Sequence, residues 1–130
     1  MGDKKINEPT ESELEVLQVL WKQGSATVRQ VNEELNLNRE VGYTTTLKIM
    51  QIMTEKGLVN RDTATRTHIY RSSVKENTTQ KNLLKKFIDK TYRGSAMQLV
   101  MQALGNQKAS VEELAELKQL IKNMEDERGL

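Results

Sequence analysis

The sequence has no cysteine, one histidine, one proline, one tryptophan and one phenylalanine. Without cysteine there is neither a disulfide framework nor a thiolate metal site. The lone histidine, His68, has no second His or Cys to share a metal with, so it reads as a strand side chain, and no metal or cofactor is expected. A glycine-rich phosphate loop, an HExxH pair and any nucleophile–base arrangement are also missing, so the chain is not expected to be an enzyme. No segment approaches the roughly 20 apolar residues that cross a bilayer, and the N-terminal segment lacks the apolar core of a signal peptide. The expected location is therefore the cytoplasm, with no membrane insertion. The shortage of large aromatics implies a lean core, of the kind that gains stability by burying surface against a second copy.

What is present is charge, and its distribution matters more than its sum. Of 130 residues, 29% are charged and the formal net charge is only +2. Residues 1–21 carry two Lys/Arg against five acids, and residues 94–130 carry four against six. Between them, residues 22–71 carry eight against five, and residues 72–93 six against two. A basic middle between acidic ends points to a polyanion contacting the middle.

The order of elements is legible from caps and periodicity. Thr10-Glu11-Ser12-Glu13 has the form of a capping box, followed by Leu14, Leu17, Leu20 and Trp21 on one helical face, with Gly24 as the stop. Thr27-Val28-Arg29-Gln30 repeats the box ahead of Val28, Val31 and Leu35, and Asn36 to Asn38 is the exit. A third helix should begin near Gly42 or Tyr43 and stop at Gly57. It buries Ile49, Met50 and Met53, turns Thr46 inward, and leaves Thr44, Thr45, Lys48, Gln51 and Ile52 pointing elsewhere. Leu58–Arg61 and Thr67–Arg71 are short and rich in β-favouring residues, joined by a polar loop at Asp62–Arg66. Three helices followed by a hairpin is the order of a winged helix-turn-helix. Tyr70 is expected to hold the wing to the helices.

Helical periodicity returns after Asn77. Leu83, Leu84, Phe87, Ile88 and Tyr92 form an apolar stripe opposite a lysine-rich face, and Gly94 breaks it. Ser95 to Gln98 reads as another capping box, opening a helix with Met97, Val100, Met101 and Leu104 on one face, which Gly105 should break. Ser110 to Glu113 caps the last helix, where Leu114, Leu117, Ile121 and Met124 follow the 3-4-3 spacing of a coiled-coil seam. Less than two heptads cannot stand alone, so the stripe needs a partner. The fold class is thus mainly α with a small β-hairpin, a winged helix-turn-helix (residues 7–74) followed by C-terminal dimerisation helices (residues 75–127).

The motifs resemble the BlaI/MecI/CopY penicillinase-repressor family. The resemblance is carried by Leu14-Glu15-Val16-Leu17 with Leu20-Trp21, by Tyr43-Thr44-Thr45-Thr46-Leu47, and by Lys56-Gly57-Leu58-Val59. Tyr92-Arg93-Gly94-Ser95 with Leu99-Val100 continues it, so that it covers roughly residues 7–125. It implies a homodimeric repressor of β-lactam-resistance genes bound to palindromic operators. It also implies release by proteolysis in the dimerisation domain, triggered by a membrane sensor-protease system. The matching cleavage region is Met101 to Leu104, centred on Gln102 and Ala103, and it lacks the Asn-Phe pair of staphylococcal members. A branch that senses copper through C-terminal cysteines is excluded.

The side chains available for DNA follow from helix-in-groove geometry, in which the N-terminal residues of the recognition helix meet base edges. Thr44 and Thr45 can bond a base edge or phosphate and touch a thymine methyl, and Lys48 lies one turn on. Tyr43 can bond a phosphate at the groove mouth. Leu47 serves either the core or a thymine methyl. Thr27 and Arg29 flank a helix N-terminus that attracts phosphate, and Arg66 sits at the wing tip. The alternative reading is a winged-helix protein-interaction module that does not discriminate between DNA sequences, since fold does not fix function.

Overall fold

The computed structural model describes residues 8–106 and 108–129. Asn7, where the winged-helix domain was expected to begin, lies outside the described residues. In chain order the elements are α1 (Glu11–Gln23), α2 (Val28–Leu35), α3 (Tyr43–Lys56), β1 (Val59–Asp62), β2 (Ile69–Ser72), α4 (Glu76–Tyr92), α5 (Ala96–Asn106) and α6 (Val111–Glu127). The fold is a mainly α winged helix-turn-helix followed by further helices. The chain divides inside α4 into two compact units, one ending at Leu83 and one beginning at Leu84.

The caps behave as their residues dictate. Thr10 Oγ1 accepts from the Glu13 amide at 3.2 Å while Glu13 Oε1 accepts from the Thr10 amide at 2.9 Å. Thr27 with Gln30, and Ser110 with Glu113, close the same reciprocal pair, so that each satisfies two amide groups. At the start of α5, Ser95 Oγ accepts from the Gln98 amide at 3.2 Å. The start of α3 is different: its N-cap is Gly42, which offers no side-chain bond. Its end is a left-handed turn at Gly57 (φ 81°), after which the Leu58 amide returns to Met53 O at 2.9 Å and Leu58 itself is buried. Such a turn satisfies the last carbonyls and suits a residue without Cβ. Helix α5 runs one residue past Gly105, so that this glycine lies in the last turn rather than ending it.

In the first unit, α1 packs against α2, α3 and β2 together. That is why its buried face is broader than one stripe and takes in Val16 and Val19 as well as Leu17 and Leu20. Ala26, then Val28, Val31 and Leu35 of α2, Val41 ahead of α3, Met50 and Met53 of α3, Leu58 just after it, and Val59 and Tyr70 of the wing complete the core. The hairpin pairs antiparallel in the register Val59 with Ser72, Asn60 with Arg71, Arg61 with Tyr70 and Asp62 with Ile69.

Each strand starts later than its composition suggests. Leu58 belongs to the cap of α3, and Thr67 O accepts from Thr65 Oγ1 within the loop, leaving His68 ahead of β2. Tyr70 exchanges both backbone bonds with Ala26, at 3.0 and 2.8 Å, so the segment before α2 acts as a third rung beside the hairpin. Trp21 Nε1 donates to Ser72 Oγ and to Val74 O, both at 3.0 Å, tying α1 to the end of the wing.

The second unit holds the last part of α4 with α5 and α6. Among the described residues from Leu84 onward, none is buried. Phe87 and Tyr92 meet edge to face at 5.9 Å between ring centroids. No helix of the described residues is long and apolar enough to cross a membrane.

Candidate nucleic-acid interface

Helix α3 has one buried side and one open side. Thr46, Met50 and Met53 face inward, whereas Tyr43, Thr44, Thr45 and Lys48 are exposed, followed along the same surface by Gln51 and Ile52. Leu47 lies between the two, half-buried against the core. The four exposed residues after Gly42 are the ones the sequence assigns to base and phosphate contact.

Thr27, Arg29, Tyr43, Leu47 and Arg66 come together although they belong to three segments. They line an open concavity of about 510 Å³ with Val28, Thr67, His68 and Tyr70. The N-terminus of α2, the first turn of α3 and the wing therefore surround one depression, while Thr44, Thr45 and Lys48 stand outside it. Thr27 Oγ1 is engaged as the helix cap, which leaves the amides of Val28 and Arg29 for an outside acceptor. With the helix dipole and two guanidinium groups, this corner is suited to an oxyanion. Thr67 and His68 were not assigned to the interface from sequence, and the polar composition of the loop gives no signal for them.

Other polar groups around α3 join residues remote in sequence. Asn32 Nδ2 donates to Val41 O at 3.0 Å and to Thr46 Oγ1 at 2.8 Å. Asn36 Nδ2 donates to Val41 O at 2.8 Å and to Asn32 O at 2.7 Å, and Asn36 Oδ1 accepts from the Val41 amide at 3.1 Å. At the other end of α3, Lys56 Nζ meets Glu13 Oε1 at 2.7 Å, with the carboxylate nearly enclosed. Arg39, in the turn between α2 and α3, bonds Glu15 of α1 through Nε at 3.3 Å and Nη2 at 2.6 Å. This bond to Arg39 holds the Glu15 carboxyl below its ordinary value against the opposing effect of burial, and the charge of Arg39 adds to it. The Arg39 guanidinium is raised in turn, first by the same bond.

The expected dimerisation residues lie as follows. Leu83, Ile88, Tyr92 and Leu117 are half-buried, while Leu84, Phe87, Val100, Leu104, Leu114 and Ile121 are exposed. Leu104 and Leu117 line an open groove of about 470 Å³ between α5 and α6, with Ala103 and Leu120. Gln102 and Ala103, the expected cleavage region, are exposed on α5.

A family model described as the penicillinase repressor matches residues 9–123. The chain belongs to the penicillinase repressor family. It is 28% identical over 118 residues to the penicillinase repressor of Bacillus licheniformis, covering 91% of this chain and 92% of that protein. It is 26% identical over 119 residues to the methicillin resistance regulatory protein MecI of Mammaliicoccus sciuri, covering 92% and 97%. Among solved structures, the DNA binding domain of the repressor BlaI matches at 27% identity with a TM-score of 0.50, covering 55% of this chain and 87% of that domain. The penicillinase repressor family is one of repressors and not of enzymes. The likeness read from Leu20-Trp21 and Tyr43-Thr44-Thr45 is thus borne out across nearly the whole chain.

Proposed function

We propose that the protein is a sequence-specific, DNA-binding transcriptional repressor that acts as a homodimer on palindromic operators of β-lactam-resistance genes. The observation that carries this reading is the shared surface of α3, the α2 N-terminus and the wing. Its exposed Thr44, Thr45 and Lys48 meet base edges in the major groove, while the concavity lined by Arg29, Tyr43 and Arg66 takes a backbone phosphate. Phosphate contacts place the domain on the duplex, and base contacts specify sequence. In this reading residues 7–74 bind DNA and residues 75–127 join two copies. Two copies of α3 then lie about 34 Å apart along the duplex, or a multiple of that.

Support for the dimer comes from the second unit, where the apolar stripes of the described residues stay half-buried or exposed. Release follows cutting near Gln102 and Ala103 by a membrane sensor-protease system. Their exposure favours this, although a protease needs extended chain and α5 must open locally first.

The test is a fluorescence-anisotropy titration with a duplex from upstream of the protein's own gene and a scrambled control, at about 50 and 200 mM salt. Nanomolar binding to the native duplex, a large preference over the scramble and a steep loss with salt are expected. Equal, feeble binding to both duplexes would turn the reading toward the protein-interaction module.

A further inference from the structure

The exposed face of α3 discriminates only if the helix is held at one rotation, and its own packing is poorly suited to that. Two of its three buried side chains, Met50 and Met53, are methionines, which fill space adaptably and specify geometry weakly. Its N-cap is a glycine without a side-chain bond, unlike the boxes that open α1, α2 and α6. A rotation of about 20° moves a side-chain tip by about 2 Å on a helix whose outer radius is about 5–6 Å, enough to lose a base-edge hydrogen bond.

What holds the first turn of α3 is a directional polar clasp from α2. Asn32 Nδ2 reaches both the backbone before α3, at Val41 O, and the fourth residue of the helix, at Thr46 Oγ1. Thr46 is fully buried, and its hydroxyl passes the bond on to Gly42 O at 3.3 Å. Asn36, one turn beyond Asn32, brackets Val41 through both its amide and its carbonyl. The two asparagines thus pin the approach to α3 and its first turn, immediately beside Thr44, Thr45 and Lys48.

We propose that Asn32, acting through Thr46 and Val41, is a positioning residue that sets the rotation of α3 and thereby the sequence discrimination of the interface. It touches no DNA itself. The inference rests on the proposed repressor function, and the experiment separates the two.

Wild-type protein is first used to enrich a duplex from a random pool, and variants are compared on the enriched and a scrambled duplex. Thr46→Val keeps the volume and removes the hydroxyl, whereas Thr46→Ser keeps the hydroxyl and removes a buried methyl. Thr46→Val, like Asn32→Ala, is expected to lower the preference for the enriched duplex by about tenfold, the scale of one mismatched base pair, with the salt dependence unchanged. Thr46→Ser is expected to retain that preference even where its melting temperature is the lower of the two Thr46 variants. Faster amide exchange at Thr46 and Leu47, the first amides bonded within α3, is expected as well in Thr46→Val, and not in Thr46→Ser. A preference that instead follows melting temperature across the variants, or that survives in both Thr46→Val and Asn32→Ala, would overturn the clasp and leave the repressor reading intact. Failure of the wild type to enrich any duplex would overturn the repressor reading and the clasp with it.

Discussion

The two units use the same kind of helix to opposite ends. In residues 8–83 the apolar stripes of α1, α2 and α3 turn toward one another and the wing, and Leu17, Val31, Met50 and Tyr70 are almost wholly enclosed. In residues 84–129 the stripes are as regular, yet Phe87 and Leu84 are each 50% exposed and Ile121 is 55% exposed. Amphipathic periodicity therefore says that a face seeks cover, and topology decides whether one chain supplies it. The first unit is a finished core stabilised by its own contacts. The second is a set of apolar faces left half-buried or exposed, which the proposed function takes to be covered by a second copy.

The most severe challenge to this contrast is a charge placed in the unfinished half. Leu114→Asp combined with Ile121→Asp should convert a dimer mass to a monomer mass in sedimentation. It should also weaken operator binding by about 10²–10⁴-fold, as a linked second site is lost. The winged helix should still melt as before; an unchanged mass would show that these stripes are not the joint.

Next in size is the finished half. Leu17→Ala should cost about 2–5 kcal/mol in chemical denaturation because it opens a cavity in a closed core. Val111→Ala, at a position 80% exposed, should stay within about 0.5 kcal/mol. Similar values for the two would dissolve the distinction between the units.

Lys48→Ala sharpens the contrast from the functional side. It should weaken binding to the preferred duplex by about 1–3 kcal/mol if the lysine meets a base, without altering the mass in solution. A change in mass would mean that the units are not separable in this way.

The smallest effect concerns the Glu15–Arg39 pair of the first unit. The folded carboxyl is held below its ordinary value of 4.5, so the pair's contribution is complete above that value. It is lost as pH falls through the lower folded value. Both side chains remain well exposed, so the acid-side drop in melting temperature should be slight. It should shrink further in Arg39→Ala, and an unchanged pH profile in that variant would remove the pair from the account.

Much of the first unit was legible because its signals are local. Thr10 with Glu13 and Thr27 with Gln30 are three residues apart, Gly57 sits where the periodicity stops, and the inward turn of Thr46 follows from its spacing to Met50 and Met53. What escaped depends on partners distant in sequence. Glu13 and Lys56 are 43 residues apart and Glu15 and Arg39 are 24 apart, so Glu15, Arg39 and Lys56 each look like an ordinary solvated charge, and Glu13 like no more than the partner of Thr10. Asn32 did carry a faint sign, since asparagine is a poor choice for a helix interior unless its side chain has work elsewhere, whereas Asn36, the C-cap of α2, looks like an ordinary helix exit. Of the interface, the face of α3 could be read from one helix, whereas the meeting of Arg29, Tyr43 and His68 required three segments to be placed. The stripes after Leu83 were equally legible, but periodicity cannot say which surface covers them.

The attachment of Trp21 has a practical consequence for separating the two halves in solution. It is the chain's only tryptophan, and its indole N–H is shared between Ser72 and Val74 in the first unit. Intrinsic tryptophan emission therefore follows the opening of the winged helix alone, while far-ultraviolet circular dichroism sums the helices of both units. A single molecule thus carries a private optical signal for one half and a common one for the whole. The offset between two melting curves reads out how far the halves unfold as one, with no added label.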